Sequence, residues 1–359
     1  MTKCFKSASL FLLLSIQFTA CTQSVTVPEI DPVYGMALDE LYKDKGVKEV
    51  HVEREQFYER KLVYPRYLAW YSLLNEDGRV IRKETSHNDR ISRRLDTAYD
   101  SEGKVISTTS YEIKPGTSIE RTGREDIEWV YSERTLQEKD GKLTAGKYTW
   151  NHAKQEWHQV YELRTWEQND TAYTEQRSLY GTYGQSRELN RTYLLGDDKT
   201  ILRQDHLSFS PKGLSEPSYT YTKIEDGKII EHGNVDYEYE LYDFVEKNPV
   251  KQRFMFTTHG YSMVLDELAR QSAGRMEPKM TYKYNGKGQL ILANEYSTEI
   301  TYERDAEGRA TAKRERHTGA GSGIITRYYY SKEGLLTHEV KTTIRGEPSE
   351  TLYYRYTFR

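Results

Sequence analysis

Tyr99-Asp100-Ser101-Glu102-Gly103-Lys104-Val105 decides how this chain is built. An aromatic residue closes one extended run, four residues turn, and a basic and an apolar residue open the next. A type I turn favours Asp, Asn or Ser at its first position and Gly at its fourth. The glycine supplies the left-handed conformation that closes a hairpin with a bulge. The same spacing occurs at Asn75-Glu76-Asp77-Gly78, Ser210-Pro211-Lys212-Gly213, Asn285-Gly286-Lys287-Gly288, Asp305-Ala306-Glu307-Gly308 and Ser331-Lys332-Glu333-Gly334. Pro211 sits where proline presets φ for such a turn. Hairpins join antiparallel neighbours, so several in series describe an antiparallel meander.

The segments between the turns have the period of strands. Val105, Ser107, Thr109, Tyr111 and Ile113 form one face of a run, and Val50 and Val52 alternate with His51 and Glu53. Tyr237, Tyr239 and Leu241 alternate with Glu238 and Glu240, Tyr282 and Tyr284 flank Lys283, and Tyr354, Tyr356 and Phe358 share a face. Tyr, Thr, Val and Ile at period two predict half-buried β-structure. Ser262 to Gln271 interrupts the pattern, with Leu265, Leu268 and Ala269 at helical spacing and Gly274 and Pro278 beyond; it predicts a short helix capping the sheet. Tyr34 to Lys43 has the pattern of another. Strands of ordinary length would number about 25, and an open sheet rarely exceeds ~10 without curling or splitting. The expected architecture is all-β: a long antiparallel meander forming a curled open sheet or incomplete barrel, with one or two short helices.

The quoted stretch resembles the core of the YD repeat of Rhs and teneurin-type cell-surface proteins, in which such units build long spiralling antiparallel sheets. The spacing of the turn glycines departs from that family's steady period of roughly 20 residues. The resemblance therefore implies the turn architecture, not the closed Rhs shell.

The 359 residues carry 52 Lys plus Arg against 55 Asp plus Glu, a formal charge of −3. That balance argues against a nucleic-acid binder that relies on a basic surface. Thirty-one tyrosines argue against disorder, and two cysteines exclude a disulfide-dense scaffold. A mean hydropathy of −0.85 excludes a polytopic membrane protein.

Lys3 and Lys6 precede an apolar run from Ala8 to Ala20, too short to span a bilayer as a helix. It ends in Phe18-Thr19-Ala20-Cys21, which resembles the lipobox of bacterial lipoproteins. The resemblance implies cleavage before Cys21 and lipidation of its thiol, leaving the mature chain without a free thiol. It also implies membrane attachment through that lipid, and Thr22 and Gln23 resemble an outer-membrane address. The expected organisation is a signal over 1–20, a tether and short helix over 21–46, and a β-meander over 47–359. A hinge near residue 250, at Asn248-Pro249, is the alternative to a single unit.

Candidate chemistry is sparse. The nine histidines show neither HExxH nor the spacing of a strand metal site, so no metal or other cofactor is expected. No G-x-S-x-G elbow is present. Carboxylate pairs such as Glu238/Glu240 are common enough to arise by chance, so no catalytic residue is assigned. The one concentrated feature is aromatic. Trp129, Trp150, Trp157 and Trp166 lie close in sequence, with Tyr148 and Tyr161 between them; exposed rings of this kind stack on sugars or partner side chains. The expected function is a lipid-anchored cell-envelope protein, facing the periplasm or the exterior, with a non-catalytic binding or scaffolding role on a Tyr/Trp-rich sheet. Its ligand would be a polysaccharide or another envelope protein. The alternatives are a carbohydrate-binding surface lipoprotein and an envelope hydrolase.

Overall fold

The computed structural model describes residues 31–359 except 88–89, 115–126, 140–142, 180–185, 196–199, 258 and 320. The expected signal, Cys21 and most of the expected tether lie outside the described residues. A short helix, α1 (Leu38–Asp44), precedes β1 (Val47–Tyr58), β2 (Lys61–Leu74), β3 (Val80–His87), β4 (Arg90–Tyr99) and β5 (Val105–Ile113). Next come β6 (Trp129–Lys139), β7 (Leu143–Asn151), β8 (Glu156–Gln168), β9 (Thr171–Ser178), β10 (Arg187–Leu195) and β11 (Ile201–Ser210). The two-residue β12 (Gly213–Leu214) leads to β13 (Ser218–Glu225) and β14 (Lys228–Asp236). Three helices follow: α2 (Glu238–Glu246), α3 (Pro249–Met255) and α4 (Gly260–Gln271). The chain ends in β15 (Arg275–Tyr284), β16 (Leu290–Glu295), β17 (Thr298–Arg304), β18 (Ala310–His317), β19 (Gly323–Tyr330), β20 (Leu336–Thr343) and β21 (Pro348–Phe358).

Apart from β12, which pairs with β11 alone, each strand lies antiparallel between its chain neighbours, and β21 returns to pair with β1. Val50 opposes Tyr356 and Val52 opposes Tyr354 across this seam. The result is a closed antiparallel barrel of twenty strands. The all-β meander is as expected; the open sheet or incomplete barrel is not. Closure satisfies the backbone of the two terminal strands, which an open sheet would leave unpaired.

Five of the six turns form as their residues dictate. The glycines at 78, 103, 288, 308 and 334 all have φ between +77° and +91°. Each donates its amide to the carbonyl of the first turn residue, at 2.8–3.1 Å. The side chain of that first residue contributes too: Asp100 Oδ1 accepts the amides of Glu102 and Lys104 at 2.9 and 2.8 Å. By strand alternation these five share one end of the barrel. Ser210-Pro211-Lys212-Gly213 lies at the other, where Ser210 pairs with Gly213 to begin β12.

Tyr237–Leu241, expected as a strand, enters α2 instead. Leu241 and Val245, one helical turn apart, are both buried, with Phe244 packed beside them. This packing overrides the local alternation, so among the described residues four short helices replace the expected one or two. α4 covers the helix expected at 262–271. β14 and β15 pair with each other across the helical insertion, so the sheet continues through it.

Residues 31–46 lie across the turn-bearing end. Val33 O accepts the Ala310 amide at 2.7 Å, the Tyr34 hydroxyl accepts the Leu336 amide at 3.1 Å, and Tyr42 packs against Tyr356. Arg304 donates to Pro32 O, and Lys43 pairs with Asp77. One short segment reaches so wide an arc of strands only from its concave side, so the face it touches is the inner wall. Val52, Tyr354, Glu339, Tyr328, Lys313, Tyr302 and Tyr282 share that face through the cross-strand register. The register continues it through Met280, His232, Thr222 and Leu202. Tyr221 and Arg203 alternate with these and point outward, where α2 and α4 cover them. The two cores thus sit on opposite faces of one wall. Between them, β8 has no buried residue along its thirteen positions, so both faces of the wall meet solvent there.

Candidate functional site

The outer wall over β5 to β8 brings together four rings. Tyr131, Trp150 and Trp157 form a triangle with centroid separations of 5.2, 5.2 and 5.3 Å, and Tyr111 joins it through Tyr131 at 5.2 Å. Register explains the meeting, since Trp150 pairs directly with Trp157 and Tyr111 with Tyr131. Tyr131 is 41% exposed, so the group presents a surface rather than a sealed core. Arg94 extends it, with its guanidinium 4.9 Å from the Tyr111 ring centre and 2.5 Å from Asp96 Oδ2. Burial works against ionisation of Asp96, but hydrogen bonds and charge from Arg94 and Arg82 outweigh it and hold its carboxyl below the ordinary value. The site is therefore a ledge of tilted rings with a fixed ion pair at one edge. It has the elements of apolar stacking and hydrogen bonding to a neutral polar ligand.

The other aromatic residues singled out in the sequence are dispersed. Tyr148 lies on the same face, its ring over Gly146, where a Cβ would come within 2.7 Å of it. Trp129 opposes Ile113 at the start of β6. Trp166 stacks flat on Tyr173, 5.1 Å away and 4° from parallel, at the far end of β8. Tyr161 faces the inner wall: a register slip between Lys147 and Tyr148 sets it opposite Lys147, whose ammonium lies 6.0 Å from its ring centre. Tyr111 belongs to the group although it is remote from the tryptophans in sequence. Its place on the regular face from Val105 to Ile113 was the available signal.

A concavity of about 620 Å³ lies beside the same hairpin, lined by Thr149, Trp150, Asn151, His152, Ala153, His158 and Val160. Thr149, Asn151 and His158 alternate with Trp150 and Trp157, so this hollow opens on the inner wall, behind the ring ledge. Asn151 Nδ2 and His158 Nε2 are 3.1 Å apart, and Glu156 approaches the same nitrogen at 3.2 Å.

A second polar group lies beneath α4. Arg191 reaches Asp205 at 3.0 Å and Asp266 at 2.7 Å, and Arg203 Nε donates to Asp205 at 2.7 Å. Arg203 also donates to Ala273 O at 3.1 Å and to the Tyr237 hydroxyl at 2.5 Å, while Arg270 pairs with Asp266 from the surface. Every charge has an opposite partner, which suits a clamp for the helix. Among the described residues no group of three or more His, Cys, Asp or Glu side chains is placed to hold a metal ion.

No family model matches the chain, and no curated protein matches it. Solved structures give weak likenesses. A protein of unknown function from Bacteroides fragilis has 12% identity and a TM-score of 0.28 over 36% of this chain and 92% of its own. A porin-like protein from Bacteroides uniformis has 11% identity and a TM-score of 0.19 over 87% and 97%. TcdB2-TccC3 without its hypervariable C-terminal region has 11% identity and a TM-score of 0.22 over 76% of this chain and 15% of that one. Superpositions this poor carry no argument about function.

Proposed function

We propose that this protein is a lipid-tethered, water-filled barrel of the bacterial envelope that binds a ligand non-catalytically on the outward ring ledge of β5 to β8. The observation that carries the reading is the triangle of Tyr131, Trp150 and Trp157 on the outer wall, with Tyr131 open to solvent. A polysaccharide is the ligand class that tilted rings beside hydrogen-bonding side chains suit best. Pulldown on envelope polysaccharides tests it: Trp150→Ala and Trp157→Ala should each weaken binding about tenfold, the size of a lost ring contact. Absence of binding to any polysaccharide would remove the ligand class, and binding that survives both changes would remove the site.

The outer wall supports a tethered rather than a membrane-spanning barrel. A spanning barrel needs an outward apolar band about 25 Å tall. Here Glu53 and Glu55 pair outward with Arg355 and Arg66, and Arg82 and Arg94 converge on Asp96. Arg314 pairs with Glu303 further round. Such rows would each cost several kcal/mol in hydrocarbon. Attachment then falls to Cys21, and Cys21→Ser should move the protein from the membrane to the soluble fraction.

A further inference from the structure

The helical insertion carries the largest group of exposed apolar side chains in the described structure, and neither the ring ledge nor the clamp uses it. Val250 is 82% exposed, Phe256 79%, Tyr239 71% and Tyr242 66%; Met263 and Phe254 follow at 50% and 42%. α3 has no buried residue at all. α3 is held by Met255 against the insertion's core and by the Lys251–Glu267 pair, yet it leaves Val250 and Phe254 exposed on its other side, as an element to be covered there does. We propose that the exposed face of the insertion, formed by α2, α3, Phe256 and the start of α4, is the surface on which two copies of this chain meet.

Area and charge favour a second copy. The exposed parts of these six side chains sum to on the order of 800 Å², about what each partner contributes to a standard protein interface. The charges around them are mixed: Glu238, Asp243 and Glu246 on α2 are exposed, as are Lys247 and Arg253 on and beside α3. A two-fold axis brings the acidic α2 of one copy against the basic α3 of the other, so unlike charges face each other at both ends. A strongly acidic or basic partner would leave half of the patch repelled. The patch is also on the side wall, over β10 to β14, so a two-fold parallel to the barrel axis keeps both Asp31 ends pointing the same way. Two copies tethered in one membrane can adopt that arrangement.

Sedimentation velocity of the purified full chain tests the proposal. The wild type should sediment as a dimer, and Tyr242→Glu or Phe256→Glu should halve the apparent mass while leaving the circular dichroism of the folded chain unchanged, because both rings are exposed in the single chain; only the concentration-dependent part of the melting temperature should be lost. Glu246→Lys should weaken the dimer and Glu246→Lys with Arg253→Glu should restore it. A wild type that stays monomeric at all concentrations overturns the proposal, whether or not it then binds vesicles or another protein. A dimer indifferent to Tyr242→Glu, Phe256→Glu and Glu246→Lys overturns it too. Polysaccharide binding by Trp150 and Trp157 is a separate measurement and does not enter either outcome.

Discussion

Arg203 is 1% exposed and fully charged, so its stability rests on its partners. Burying an ion is unfavourable unless its hydrogen bonds are met inside, and removing one member of a buried pair typically costs about 3–5 kcal/mol. Asp266 links Arg191 in the wall to α4. Asp266→Ala should therefore lower the unfolding free energy by about that amount, read from urea denaturation. Asp266→Asn keeps an acceptor and should cost less. Glu339, on the inner wall, gives the opposite lesson. Burial raises its pKa, against the hydrogen bond donated by the Tyr354 hydroxyl and the charge of Lys341. A raised carboxyl binds its proton more tightly folded than unfolded, so stability falls as pH rises through the window between its ordinary and raised values. Glu339→Gln keeps an oxygen for Tyr354 and should be more stable than the wild type at neutral pH. The gap should close below the ordinary glutamate value, which denaturation midpoints measured against pH would show. Asp96 and Asp305, both lowered, lose stability as pH falls, but equally in the two proteins.

At the scale of the element, the turn glycines differ in what surrounds them. A Cβ on Gly334 would meet only the flexible end of Arg309, at 3.2 Å, so Gly334→Ala should cost about 1 kcal/mol for the left-handed backbone alone. A Cβ on Gly78 would lie 2.1 Å from Asp39 O and 2.7 Å from the Lys43 amide. Gly78→Ala should therefore cost more and should loosen α1, seen as faster hydrogen exchange over 38–44. These turns were legible in the sequence because each is settled by four adjacent residues. α2 was not, because Tyr237–Leu241 fits a strand when read alone. Only Leu241 and Val245 together, buried one turn apart, give the helical period. The ring ledge was half legible. The tryptophans are close in sequence, but the slip at Lys147/Tyr148 decides which rings share a face, and no local pattern encodes that slip.

At the scale of the molecule, the barrel has two small cores on opposite faces of its wall and wet wall between. Scattering should give an Rg above the ~21 Å of a compact chain this long, with a profile fitted by a hollow cylinder rather than a solid body. Lateral closure was illegible for a different reason from α2. The Tyr353 hydroxyl bonds Glu55 from 298 positions away, and nothing near either residue specifies the other.

That seam also orders the folding reaction. Nearly every other pairing joins chain neighbours through a hairpin and can form quickly, whereas β1 and β21 must wait for the whole meander. Until they meet, two long strands offer unpaired backbone to any other chain. The last event in folding is therefore the one that ends the risk of aggregation. Slowing it, by truncating β21 at Glu347, should yield a chain that makes its hairpins and then precipitates.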